Sequence, residues 1–152
     1  MENIENEFNS SLLQPTISNL IRSNGLIRTN GLFRCKGYTT NCFWIIDSKF
    51  ESKNLKKIIA KETYLPLYSL FERLKDANEK MEITNTLHTI PTTIVVDVKC
   101  RFWTSKIDAY FLSYILHNVR GIYEILQKDK NSPLFFVNDK KEILAIIMPI
   151  YY

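Results

Sequence analysis

The sequence predicts an α+β domain: two helices packed on one face of an antiparallel sheet, with an N-terminal helix and hairpin as an extension. Three observations carry this. Strand-like and helical runs alternate from residue 57 onward. Turn dipeptides punctuate the strands at short intervals. The order strand, helix, strands occurs twice between residues 57 and 152 without identity between the halves, so the repeat lies in the order of elements alone. Two helices over one face is the natural packing of such a series. The expected division is 1–56, the extension, and 57–152, the repeated unit.

Taken in order, "MENIENEFNSS" is a polar, acidic leader without the basic start and apolar core of a signal peptide. In "LLQPTISNLIRSNG", Pro15 suits a first turn and Leu13, Ile17, Leu20 and Ile21 recur at helical spacing, with Asn24-Gly25 as the stop. "LIRTNGLFRCKGYTTNCFWIID" reads as strands, turned at Asn30-Gly31 and again at Lys36-Gly37. "SKFESKNLKK" is a polar connection and "KIIAKETY" a strand. In "LPLYSLFERLKDAN", Leu67, Leu70, Phe71, Leu74 and Ala77 form one apolar stripe behind Pro66, an amphipathic helix.

"KMEITNT" is a strand, followed by "NTLHTIP" as a loop holding His88. In "TTIVVDVKCRFW", Ile94, Val96 and Val98 make one apolar face, with Thr93, Val95, Asp97 and Lys99 opposite. "KIDAYFLSYILHN" is the second helix. "GIYEILQKD" and "SPLFFVND" are strands, Lys140-Lys141 a turn, and "EILAIIMPIYY" the closing strand.

Bulk properties narrow the function. A chain of 152 residues, 45% hydrophobic and 24% charged, has the balance of one folded domain rather than of a disordered tail. Four glycines leave little material for phosphate-cradling loops. No apolar run approaches the roughly 20 residues that span a bilayer, so a soluble, cytoplasmic protein without membrane contact is expected. Cys35, Cys42 and Cys100 are odd in number, which suits reduced thiols. With only His88 and His117 beside them, no zinc-type spacing arises, and neither metal nor cofactor is expected. His88 has no evident partner, Asp97 reads as an outward charge, and Cys100 beside Arg101 reads as a structural thiol. With no nucleophile elbow or P-loop, the expectation is not an enzyme.

The helix "AYFLSYILHN", the strand "IYEILQ", the Ser-Pro strand "SPLFFV" and the Met-Pro finish "LAIIMPIYY", in that order, resemble the DNA sliding clamp family of the bacterial beta-subunit type. The resemblance covers the last third of the chain and fades towards Lys57. It implies a domain of two strand–helix–strands units whose helices face DNA. It also implies that Met148, Pro149, Ile150, Tyr151 and Tyr152 help wall an apolar pocket for linear motifs of replication and repair proteins. Methionine and aromatics suit a groove that takes varied peptides. A terminal strand that merely completes a sheet is the plainer reading of the same residues.

Two departures accompany the resemblance. Tyrosines stand where the family carries a basic and then an aliphatic residue. Family chains hold three such domains, so this one would encircle DNA only as a homo-oligomer.

DNA contact in that arrangement needs cations on the helices' solvent faces. Lys106, His117 and Arg120 share a stripe with Ser113; Arg73 and Lys75 accompany Glu72 and Asp76 on the first helix, a mixed face. Arg28, Arg34 and Lys36 interleave with Phe33 and Tyr38 on the hairpin, a pattern that can track single strands. Ordinary solvated faces are the plainer reading of both sets. The sequence therefore points to a non-catalytic replication or repair accessory protein, acting by encirclement of DNA or by recruitment through the C-terminal groove. The alternative is a clamp-mimicking interaction or inhibitor module that binds no DNA.

Overall fold

The computed structural model describes residues 32–58, 66–90, 93–122 and 124–150. Among these, ten strands and three short α-helices follow one another: β1 Phe33–Cys35, β2 Tyr38–Thr40, β3 Trp44–Asp47, α1 Lys53–Ile58, α2 Leu67–Phe71, β4 Glu79–Lys80, β5 Glu82–Ile90, β6 Thr93–Lys99, β7 Thr104–Asp108, α3 Ala109–Asn118, β8 Glu124–Gln127, β9 Leu134–Val137 and β10 Ile143–Ile147. Single 3-10 turns cover Ser48–Phe50 and extend α2 over Glu72–Asp76. The chain is mixed α+β and mostly sheet, as expected.

The strands form two antiparallel sheets. Seven lie in the order β1-β2-β3-β10-β9-β8-β4, and three in the order β5-β6-β7. β3 pairs with β10 through Trp44↔Ile147, Ile45↔Ile146 and Ile46↔Ala145. This pairing carries the main sheet across the expected boundary at residue 57: the early strands belong to it, and they cover an apolar edge of β10 that would otherwise stay unpaired. Lys36-Gly37 turns β1 into β2 as expected, both residues at positive φ, +48° and +85°. The predicted N-terminal helix and the Asn30-Gly31 turn lie outside the described residues.

The expected placement of the two helices on one face is not what the packing gives. The central strands are apolar on both faces. Leu134 and Phe136 of β9, Ala145 and Ile147 of β10, and Trp44 and Ile46 of β3 point into one core. Phe135 and Val137, Ile146, and Ile45 point into another. α3 belongs to the first, with Phe111, Leu112, Tyr114, Ile115 and Leu116. The α2 stripe of Leu67, Leu70, Phe71, Leu74 and Ala77 was read correctly, but it seals the second. The two helices therefore lie on opposite faces of the seven-stranded sheet.

The helix that shares the core of α3 is α1, through Leu55. The sequence reading made α1 a connection running into a strand at Lys57. Its start is fixed by Ser52, whose hydroxyl accepts from the Leu55 N–H at 3.3 Å. The Tyr114 hydroxyl ties α3 to this segment, accepting from Ser52 N (2.7 Å) and donating to the Phe50 carbonyl (2.9 Å). The apolar side of the small sheet, Val96, Val98 and Ile107, closes the same core. Trp44 stacks on Phe111 with ring centroids 4.5 Å apart, a contact of roughly 0.5–1.5 kcal/mol beyond the area buried.

α3 is shorter than predicted and more deeply set. Lys106 belongs to β7, because Asp108 caps the helix, accepting from Tyr110 N (2.8 Å) and Phe111 N (3.2 Å). Residues Phe111 to Leu116 are all buried, and Ser113, expected in a solvent stripe, is 2% exposed. A helix apolar nearly all round belongs in a core. A carboxylate at position 113 would be buried, so Ser113→Asp should cost about 3 kcal/mol or more, or prevent folding. Glu72→Lys, on the exposed side of the turn that extends α2, should stay within about 0.5 kcal/mol. Urea unfolding of the two variants checks both. Equal tolerance would mean α3 is not a core helix.

Candidate functional site

β10 ends at Ile147, and the chain then crosses from one sheet to the other. The Met148 N–H donates to the Phe43 carbonyl (3.0 Å) in the β2–β3 turn, and the Ile150 N–H donates to the Lys106 carbonyl (2.7 Å) on β7. Between them Pro149 is buried, and it needs no partner for a missing N–H. Residues 148–150 thus strap the large sheet to the edge of the small one. This is where the Met-Pro finish goes. Tyr151 and Tyr152 lie outside the described residues.

Beside the strap is a cavity of about 300 Å³, lined by Thr104, Ser105, Lys106, Lys130, Asn131, Pro149 and Ile150. Its apolar wall is the strap. Its polar wall is β7 and the β8–β9 turn, and one buried side chain holds those together. Gln127 is 0% exposed. Its carbonyl oxygen accepts from Trp103 Nε1 (2.7 Å) and Ser105 Oγ (3.0 Å), and its amide donates to the Ser132 carbonyl (2.8 Å). Ser105 Oγ also reaches the Lys130 carbonyl at 3.1 Å. Asp129 shapes the turn by accepting from Asn131 N at 2.9 Å. Its carboxyl is held below the ordinary range, chiefly by the Ser132 hydroxyl and the Asn131 N–H.

On the outer face of the small sheet, Asp97 Oδ1 lies 2.9 Å from His88 Nε2 and 3.5 Å from Lys106 Nζ. His88 was placed in a loop by the sequence. It sits in β5, which runs on to Ile90, and the register of β5 on β6 brings its ring to Asp97. Asp97 thus draws the Lys106 ammonium across the sheet while the Lys106 carbonyl carries Ile150. The described residues hold no group of three or more His, Cys, Asp or Glu placed for a metal, and Cys35, Cys42 and Cys100 are not bridged by disulfides.

Of the residues foreseen for partner binding, Pro149 and Ile150 line the cavity, and Met148 is half-buried in the strap. The foreseen DNA residues do not converge. Arg73 and Lys75 are exposed on the extension of α2, on one side of the large sheet, whereas Lys106 and His117 belong to the other. His117 is half-buried, its Nδ1 3.2 Å from the Ser113 carbonyl. Arg120 is exposed beyond the end of α3, Lys36 is exposed in the β1–β2 turn, and Arg28 lies outside the described residues.

Arg34 is committed inside the protein. Its Nε and Nη2 donate to the two Glu51 oxygens at 2.9 and 2.7 Å, and Thr39 Oγ1 donates to the same carboxylate. No local pattern announces the pair, since Arg34 and Glu51 are 17 residues apart and are separated by the β1-β2-β3 strands. Lys130, Asn131, Thr104, Ser105 and Gln127 were also missed as site residues. The basic turn "QKDKNS" beside the Ser-Pro strand was the available signal.

No family model, curated protein or solved structure matches the chain.

Two predictions follow from these contacts. Gln127→Leu strands the Trp103 N–H and the Ser132 carbonyl, at about 2–4 kcal/mol. The backbone amides of residues 128–132 should then exchange with deuterium faster than those of β9; unchanged exchange would show that Gln127 does not hold the turn. The Glu51 side chain is 2% exposed and that of Arg34 28%. Burial pushes the Glu51 carboxyl up, but hydrogen bonds from Arg34 and Thr39, with the charges of Arg34 and Lys56, bring it below its ordinary 4.5. A depressed carboxyl stabilises the fold above its unfolded value and loses that contribution as pH falls through its folded value. Arg34→Ala should therefore cost about 3 kcal/mol at neutral pH, with the gap to wild type narrowing below pH 4.5. A gap independent of pH would rule the pair out as its source.

Proposed function

We propose that the protein is a non-catalytic recruitment module in which the strap of residues 148–150 walls a cavity for a short segment of a partner protein. The observation that carries this is the position of Pro149 and Ile150. Of the residues that the sliding-clamp resemblance singles out as a motif-docking wall, these two line a cavity together with β7 and the β8–β9 turn. Partners from replication or repair are what that resemblance implies.

Recruitment is favoured over encirclement of DNA, as monomer or homo-oligomer, for a physical reason. A DNA-lining helix needs a basic solvent face. α3 is buried from Phe111 to Leu116, and the cations of α2 are on the far side of the large sheet. The module is accordingly read as one that does not thread duplex DNA, the clamp-mimicking form of the function.

The test is a titration of the isotope-labelled chain with a synthetic polymerase-type apolar linear motif, followed by NMR. Amide shifts are expected at Thr104, Lys106, Lys130, Asn131 and Ile150, and to vanish in Ile150→Glu. Shifts confined to other surfaces, or none, would dispose of the reading. In parallel, circular and linear duplex DNA should be retained equally or not at all. Retention of the circle alone, the mark of topological linkage, would restore the ring.

A further inference from the structure

The β8–β9 turn lines the cavity, and two further turns are tied to its surroundings by hydrogen bonds, which makes three. The β2–β3 turn is joined to the strap at Phe43, the β8–β9 turn to β7 at Lys130, and the β6–β7 turn to Gln127 through Trp103. Two of them present large exposed rings, Phe43 at 72% and Phe102 at 63%. Their charges are mostly of one sign. Arg101, Lys128 and Lys130 are exposed, and Lys106 lies half-exposed in the cavity wall. Across these turns and the strap the one carboxylate is Asp129, exposed and ionised between Lys128 and Lys130, where it offsets part of their charge and leaves the balance positive. Asp97, behind Lys106, is shared between Lys106 and His88.

An apolar wall with a basic rim selects its occupant by charge as well as by shape. Resting on the recruitment reading above, we infer that the segment taken here is acidic: an apolar anchor that packs against Pro149 and Ile150, flanked by Asp or Glu residues facing Lys130 and Lys106, the charged residues of a lining that holds no carboxylate. The flanks meet the rim where water and salt reach it, so they set encounter rate and salt sensitivity, while the anchor sets the lifetime of the complex.

A single-stranded nucleic acid carries the same sign of charge and fits less well. Base stacking needs open ring faces. Phe102 is already engaged by the Arg101 guanidinium at 4.6 Å from its centroid and by the Trp103 ring at 6.2 Å. The cavity is also closed on one side by the strap, whereas a nucleic-acid track is an open groove.

The experiment is selection of a displayed library of random short peptides on the full chain at low salt, with poly(dT) binding measured beside it. Enriched peptides should carry Asp or Glu around an apolar residue. Their binding should be lost in Ile150→Glu, and should weaken roughly fivefold or more in Lys130→Glu and again on raising salt to physiological strength. Neutral or basic peptides that still depend on Ile150 would overturn the acidic inference and leave the recruitment reading standing. Peptides indifferent to Ile150→Glu, or no enrichment at all, would overturn both. Poly(dT) binding that is lost in Lys130→Glu, without peptide enrichment, would replace the acidic peptide with a nucleic acid. Lys130 lies on an exposed turn, so Lys130→Glu keeps the test decisive should Ile150→Glu fail to fold.

Discussion

The molecule is organised by a strand that has no polar side. β9 is Leu-Phe-Phe-Val, and all four side chains are buried. Successive residues of a strand point to opposite faces, so a strand apolar at every position obliges both faces of its sheet to be covered. β10 imposes the same demand on the other side of the pair, with its bulge between Ile143 and Ala145 absorbing one residue of register. From this follow two cores rather than one. The larger takes α1, α3 and the apolar side of the small sheet, and the smaller takes α2. A sheet wet on one face would have written these strands as alternations.

That constraint also decides what α3 can do. A helix caught between a seven-stranded and a three-stranded sheet meets apolar surface on most of its circumference, and "AYFLSYIL" is composed for that. Its polar groups work inward. The Tyr114 hydroxyl satisfies two backbone groups of the segment before α1, and Asn118 donates to the Tyr114 carbonyl at 2.9 Å, closing the last turn. Each would cost about 1–3 kcal/mol if buried unpaired. Position and satisfaction together make α3 a structural axis rather than a contact surface.

Local structure was legible in the sequence where a local rule governs it. The apolar stripe of α2, the Lys36-Gly37 turn and the strands around the Ser-Pro depend on neighbours a few positions away, and they stand where those rules put them. What failed was non-local. The face on which α2 lies depends on strands that follow it by roughly half the chain, although "LFFV" had already announced a sheet covered on both sides. Reading Lys57 as the start of a strand ignored Ser52, whose cap commits the next turn to helix. His88 looked like a loop residue because "NTLHTIP" holds a proline, yet pairing with β6 carries the strand through to Ile90. Of the candidate site, the Met-Pro finish stands out in the sequence, but as the end of a closing strand and not as a strap between sheets, because its partners Phe43 and Lys106 lie far away in the chain. The turn opposite does not stand out, because what holds it is a glutamine whose partners lie in other elements.

The arrangement of charge bears on which kind of partner the fold can serve. The formal charge of the chain is +4, and among the described residues several cations are answered locally. Arg34 is matched by Glu51, Lys106 by Asp97, and Lys80 by Glu124 at 3.2 Å. A surface that binds a polyanion without regard to sequence gathers its cations along a path, since affinity grows with the number of phosphates met at once. At the cavity the gathering is short, Lys106 and Lys130 beside Pro149 and Ile150. A rim of that extent matches a few acidic side chains flanking one apolar anchor. A strand of nucleic acid would run past it onto surfaces where Arg34 and Lys80 are already matched by carboxylates.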